Sequence, residues 1–156
     1  MPGPIDYSLL KVQPDPDTAE WWDATKERRF LVRQCNRCRY RYFPPYPACP
    51  HCNSMDLGWH ESEGKGLIYS YTVVVHPILA PFVDAVPYVV AVIELPDCAN
   101  SDGSVTRVVG VLMDDEDKVA IGQPVEVVFE ESPEAGYVMP RWRVQGTAQD
   151  TWKFQG

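Results

Sequence analysis

The sequence predicts a mainly β chain: one leading helix, a cysteine-rich ribbon, then a small all-β barrel or sandwich of five strands. Three observations predict it. Val-rich apolar runs recur at 66–75, 87–95, 105–113, 124–130 and about 137–145, with turn-forming residues between them. Four of the five cysteines are paired as Cys35-x-x-Cys38 and Cys49-x-x-Cys52, in a stretch too poor in aliphatic residues to build its own core. Proline, at 15 of 156 residues, is about twice its average usage, and so many helix breakers argue against a helical bundle.

The elements follow in order. Residues 1 to about 14 carry Pro2, Pro4 and Pro14 and read as an extended arm. A helix is read over 17–29: Asp17 is placed to cap it, Glu20 and Asp23 suit its positive start, and Arg28 and Arg29 suit its negative end. Trp21 and Trp22 are adjacent, so they do not share the centre of one face, and one of them is expected to touch another element or another chain. The cysteine ribbon follows. Gly64-Lys65-Gly66 turns into the first strand, and Pro87 and Pro124 open later strands, where proline is tolerated. His76-Pro77, Pro96-Asp97, Asn100 to Gly103, Gly122 to Pro124 and Ser132-Pro133 read as turns, and 114–122 as a short helix or turn. The tail, 147–156, holds Trp152 and Phe154, more bulk than a loose end requires.

Charge excludes some functions and leaves others open. The net charge of −8 is a poor basis for nucleic-acid binding. Its distribution is uneven. Residues 26–41 set seven cations (Lys26, Arg28, Arg29, Arg33, Arg37, Arg39, Arg41) against Glu27 alone, a local charge of +6, so the other 140 residues carry −14. Two readings stand: a solvated face that balances a metal–thiolate centre, or a contact for an anion or phosphate. No apolar run approaches the roughly 20 residues that span a bilayer, and Met1-Pro2-Gly3-Pro4 opens no signal sequence, so a soluble cytoplasmic protein is expected.

The double Cys-x-x-Cys, with ten residues between the pairs, is the strongest chemical signal. Two knuckles turn four sulfurs toward one centre, which suits a structural zinc ion, one per chain. Four thiolates leave no open coordination position, so such a zinc does not catalyse. The same ligands also suit iron in a rubredoxin-like cage. Cys49-Pro50-His51-Cys52 resembles a redox dithiol, but Asn53-Ser54-Met55-Asp56 is a poor helix start behind it. A zinc deaminase needs a His before its cysteines, and none precedes Cys35. Cys98 reads as a small inert hydrophobe in a loop after the second strand, His51 as a knuckle spacer, and His60 and Glu63 as surface. No phosphate loop, nucleophile elbow or paired-carboxylate site is visible.

Several segments carry a resemblance: Trp22; Leu31, Gln34, Cys35 and Cys38; Phe43-Pro44-Pro45 and Cys49-Pro50-His51-Cys52; Gly66 with Ser70-Tyr71-Thr72-Val73; Pro87-Tyr88-Val89-Val90-Ala91; and Ile121-Gly122 with Val125 to Phe129. Over about 17–145 the chain resembles the prokaryotic zinc-ribbon/OB-fold proteins associated with acyl-CoA metabolism. It departs at Arg39, where many members have glycine after the second cysteine. The resemblance implies an arm and helix at 1–29, a rubredoxin-like four-cysteine zinc ribbon at 30–62, a five-stranded OB-fold barrel at 63–146 and a tail from 147.

It also implies a partner. Members pair with thiolase-superfamily enzymes (thiolases, lipid-transfer-protein-like aldolases, hydroxymethylglutaryl-CoA synthases) that hold the catalytic residues. The small chain stabilises the enzyme and helps form a channel for the CoA thioester, which binds with the partner. On this reading the chain is no enzyme by itself but an accessory subunit in a 2 + 2 assembly. Arg33, Arg37, Arg39 and Arg41 are candidates for CoA phosphates or the partner, and Trp21, Trp22, Trp152 and Phe154 for the interface. Steroid, aromatic and short acyl groups, and cleavage or condensation, all stay open. The competing class is a single-stranded nucleic-acid binder, since Tyr40, Tyr42, Phe43 and Tyr46 interleave with Arg37, Arg39 and Arg41.

Overall fold

A computed structural model describes residues 2–132 and 136–146 and shows how the arm, ribbon and barrel pack together. Helix α1 spans Ala19–Lys26, shorter at both ends than 17–29. Asp17 does not cap it: the N-cap is Thr18, without a side-chain cap bond, and Asp15 Oδ1 organises the turn before the helix by accepting the amides of Asp17 and Thr18 at 3.0 and 2.9 Å. At its end Arg28 turns left-handed (φ 62), and the Arg28 and Arg29 amides donate to the Thr25 and Ala24 carbonyls. This is a Schellman closure with arginine where glycine is usual. The arm is not extended throughout. It makes a 3-10 turn at Tyr7–Leu9 and is pinned to the barrel by Asp6 N–H to the Pro81 carbonyl (2.9 Å) and by Tyr7 OH to Glu130 Oε2 (2.7 Å).

The ribbon sheet contains β1 (Phe30–Cys35), β2 (Arg41–Tyr42) and β3 (Leu57–Ser62), antiparallel in the order β2-β1-β3. All six residues of β1 are buried, because helix and barrel cover it.

The second sheet contains β4 (Lys65–Val74), β5 (Tyr88–Ala99), β6 (Val105–Val111), β7 (Pro124–Ser132) and β8 (Tyr137–Val144), ordered β6-β5-β4-β7-β8. The five apolar runs are therefore the five strands. Along β5, Val89, Ala91, Ile93 and Leu95 point inward and are fully buried, the period-2 pattern of a sheet with one solvated face. The outer strands approach each other through a parallel bridge between Leu112 and Trp142, with Met113 N–H to the Trp142 carbonyl at 2.8 Å, so the OB-fold barrel is nearly closed. The closure needs Gly110: a Cβ there would lie 2.1 Å from Trp142 Cδ1.

Pro96-Asp97 is not a turn. Strand β5 continues through it to Ala99, and its pairing with β6 slips between Glu94 and Ala99. Such an irregularity spares proline from ladder duty. Cys98 accordingly sits buried in a strand, not in a loop. The 114–122 connection holds a single 3-10 turn, Glu116–Lys118.

The adjacent indoles divide as their spacing requires. Trp21 enters the core beside Phe30 and Phe43 and donates its N–H to the Leu31 carbonyl at 3.0 Å. Trp22 packs edge-on against Tyr137, 5.6 Å between centroids. Trp152 and Phe154 lie outside the described residues.

Candidate metal centre

Each knuckle is closed the same way. The residue after the second cysteine donates its amide to the carbonyl of the first: Arg39 to Cys35 at 3.0 Å, Asn53 to Cys49 at 2.8 Å. Both adopt the left-handed backbone, with φ 63 and 60. Amides also point at sulfur, Cys38 N–H to Cys35 Sγ at 3.5 Å and His51 N–H to Cys49 Sγ at 3.4 Å, as thiolates require. The Sγ atoms of Cys35, Cys38, Cys49 and Cys52 all lie within 4.8 Å of one another. Cys35–Cys52 and Cys38–Cys49 are 3.6 and 3.7 Å apart. Tetrahedral zinc with Zn–S bonds of about 2.3 Å sets its sulfurs about 3.8 Å apart, so the cage fits. Bound there, zinc would cross-link two loops otherwise joined by the Asn36–Asp56 hydrogen bonds and a small apolar cluster around buried Cys35, Cys49 and Tyr42. His51 is exposed and stacks on Tyr40, 5.0 Å between centroids.

The cationic segment divides into committed and free side chains. Arg33 is buried, its guanidinium 4.0 Å over the Trp59 ring. Arg41 donates Nε to Gln34 Oε1 at 2.9 Å and Nη1 to the Asp97 carbonyl at 3.0 Å. Arg28 pairs with Glu131, Arg29 with Glu27 and Glu61, and Lys26 with Asp23. Among the described residues, Arg37 and Arg39 are exposed and make no ion pair or side-chain hydrogen bond. Of the interleaved aromatics, Tyr42 is buried and Phe43 packs on the core, while Tyr46 is exposed.

An apolar cavity of about 240 Å³ lies between the arm, α1 and the β6–β8 closure, lined by Ile5, Tyr7, Trp21, Phe30, Phe43 and Trp142 among others. At its wall the buried Arg141 donates Nη1 to Glu130 Oε2 at 2.7 Å. Burial, then the Glu130 carboxylate, pushes the Tyr7 phenol up to about 12.

His60 and Cys98 were the residues sequence reasoning passed over. The fold brings both to Asp97. No local signal marks this, because the meeting depends on β3 lying beside a strand more than thirty residues further on.

Residues 22–57 match the rubredoxin-like zinc ribbon domain of ChsH2, and residues 59–130 its C-terminal OB-fold domain. A "DUF35 domain-containing scaffold protein" of Methanothermobacter thermautotrophicus is 35% identical over 123 residues, 77% of this chain and 86% of that one. The chain belongs to the DUF35 family.

This DUF35 chain is also 36% identical, over 118 residues, to a scaffold protein of the same description from Methanocaldococcus jannaschii, covering 74% of this chain and 78% of that one. It is 41% identical over 109 residues to a "Probable enoyl-CoA hydratase alpha subunit" of Thermomonospora curvata; the match takes in 70% of this chain but only 32%, about a third, of that longer protein. Among solved structures, a chain of an "Ltp2-ChsH2(DUF35) aldolase" superposes with TM-score 0.70 at 37% identity, covering 86% of this chain and 98% of that one. No helix among the described residues is long and apolar enough to cross a membrane.

Proposed function

We propose that this DUF35 chain is the non-catalytic small subunit of a thiolase-type enzyme that makes or breaks a carbon–carbon bond in a CoA thioester. It stabilises the catalytic partner and contributes to the channel for the CoA substrate. The observation that carries this reading is the likeness to nearly the whole of a chain from an aldolase complex, at 37% identity. The chain's own chemistry agrees. Its four ribbon thiolates fill the shell of one structural zinc per chain and leave that ion nothing to activate. Arg37 and Arg39 stand free beside the ribbon, where an exposed guanidinium can take a phosphate oxygen pair. The apolar cavity offers a wall for an acyl chain, and its rim includes Phe82, which follows the exposed Ile78 and Leu79. A symmetric 2 + 2 assembly around a partner dimer is the expected stoichiometry.

The test is co-expression with a candidate thiolase-superfamily enzyme from the same genome, followed by size-exclusion chromatography with light scattering and an acyl-CoA assay. A 2 + 2 complex is expected, more active or more soluble than the enzyme alone, with no turnover by the small chain by itself. Removing 147–156, with Trp152 and Phe154, or changing Trp22→Ala, should weaken it. A chain that ignores the partner, or turns over a thioester alone, would sink the reading.

A further inference from the structure

The ribbon cage leaves one thiol of the chain unassigned, and the fold surrounds it with groups that sequence order keeps apart. Cys98 is fully buried at the irregular end of β5, next to Asp97, and His60 reaches the same place from β3. We propose that His60, Asp97 and Cys98 form a second metal site, for a zinc-like divalent ion, at the seam between ribbon and barrel.

The donor atoms carry the proposal. An imidazole nitrogen, a carboxylate oxygen and a sulfur all lie within 4.8 Å of one another. Asp97 Oδ1 and Cys98 Sγ are 3.4 Å apart; oxygen and sulfur ligands on tetrahedral zinc, with bonds of about 2.0 and 2.3 Å, stand about 3.5 Å apart. His60 Nε2 is buried without a hydrogen-bond partner among the described residues. Buried polar atoms are rarely left so, and a metal would satisfy this one.

The surroundings prepare the ligands. Asp97 Oδ1 accepts the Ser62 hydroxyl at 3.1 Å and Oδ2 the Glu63 amide at 2.7 Å, the outer bonds that aim a ligating carboxylate. Among the described residues no cation pairs with that carboxylate. Arg41 spends its Nη1 on the Asp97 backbone carbonyl instead. Burial, then Arg41, lowers the His60 pKa and keeps the ring in its neutral, ligating form. One thiolate and one carboxylate offset the ion's two charges. The nearby Arg41 guanidinium makes this site weaker than the four-thiolate cage.

Without metal, Cys98 is no nucleophile: burial, then the Asp97 carboxylate, pushes its thiol up to about 12. Binding breaks the S–H bond, forms a metal–sulfur bond and releases the proton to solvent. Three protein ligands leave one position for water.

The experiment uses the full chain with its ribbon zinc in place, titrated with cobalt(II). It reads bound metal and the sulfur-to-cobalt charge-transfer band. One cobalt per chain should bind while one zinc is retained, and its affinity should rise about tenfold per pH unit as the proton is released. Cys98→Ala should abolish the band. His60→Gln, at a half-buried position more tolerant of change, should weaken binding at least tenfold. Both variants should keep one zinc and the wild-type melting transition. The proposal is overturned if cobalt only replaces ribbon zinc one for one, if no metal binds beyond one per chain, or if His60→Gln binds like the wild type.

Discussion

Arg28, Arg39 and Asn53 each hold the left-handed backbone that glycine adopts without cost, and each closes a turn by doing so. Arg39 is the informative one, because the sequence marked it as the departure from a usual knuckle glycine. The structure shows an arginine adopting the glycine conformation with the knuckle bond intact. Left-handed backbone costs a non-glycine residue roughly 1–2 kcal/mol, and glycine's greater freedom in the unfolded chain returns about half of that. Arg39→Gly should therefore raise stability by about 0.5–1 kcal/mol in urea unfolding, while weakening any salt-sensitive anion contact made by this side chain. A second residue-scale expectation concerns alkaline pH. The Tyr7 phenol is raised from 10.0 to about 12, so the fold keeps its contribution below about pH 10 and loses it as pH climbs toward 12. Melting curves across that range should fall less steeply for Tyr7→Phe. Part of the fall will persist, since Tyr42 is also raised to about 12. The zinc cysteines were legible because their spacing is itself the site. Cys98 was not, because its neighbours come from long-range pairing around a proline that sequence rules read as a strand end.

Individual elements were legible where their pattern depends on one local rule. All five barrel strands lie where the Val-rich runs predicted, because alternate residues must face a shared interior. The helix ends were less legible: Asp15 rather than Asp17 organises the entry turn, and left-handed Arg28 ends the helix before 29. The β6–β8 closure hid in a glycine. Gly110→Ala would push a methyl into the Trp142 indole and should cost about 1–3 kcal/mol, and Trp142→Ala about 3–5 kcal/mol, both read as shifts in denaturant midpoint. The ribbon is the element without a core of its own. Chelation, or Cys35→Ser or Cys52→Ser, should release it to proteases within 30–62 and leave barrel fragments intact. Metal loss with an unchanged cleavage pattern would contradict this.

At the scale of the molecule, the docked arm is what the sequence least announced. Proline-rich and read as extended, it instead roofs an apolar cavity through Ile5 and Tyr7 and joins the Glu130–Arg141 pair. Deleting 2–10 should uncover Trp21, Phe30, Phe43 and Trp142 to solvent. The expected signs are a red-shifted tryptophan emission, binding of an apolar dye and a lower melting temperature. An unaltered emission spectrum would mean that the roof is dispensable. The uneven charge belongs to this scale too. Most of the +6 segment is ion-paired or buried within the chain, so what the chain offers a partner is an acidic body with two arginines, Arg37 and Arg39, that are exposed and without an ion pair among the described residues.

Strand β5 serves two masters. Its first eight residues lie within the barrel, but beyond Pro96 its Asp97 is gripped from the ribbon side, where Arg41 holds the carbonyl and Ser62 and Glu63 the carboxylate, before Ala99 returns to β6 opposite Val105. Asn100, just beyond, exchanges two bonds with the Arg41 backbone. The boundary between cooperative units therefore falls inside a strand rather than at a linker. In native-state hydrogen exchange, the Asp97 amide should share the opening energy of the ribbon, while Val89 to Leu95 follow the slower barrel. When the ribbon frays, one end of a barrel strand frays with it.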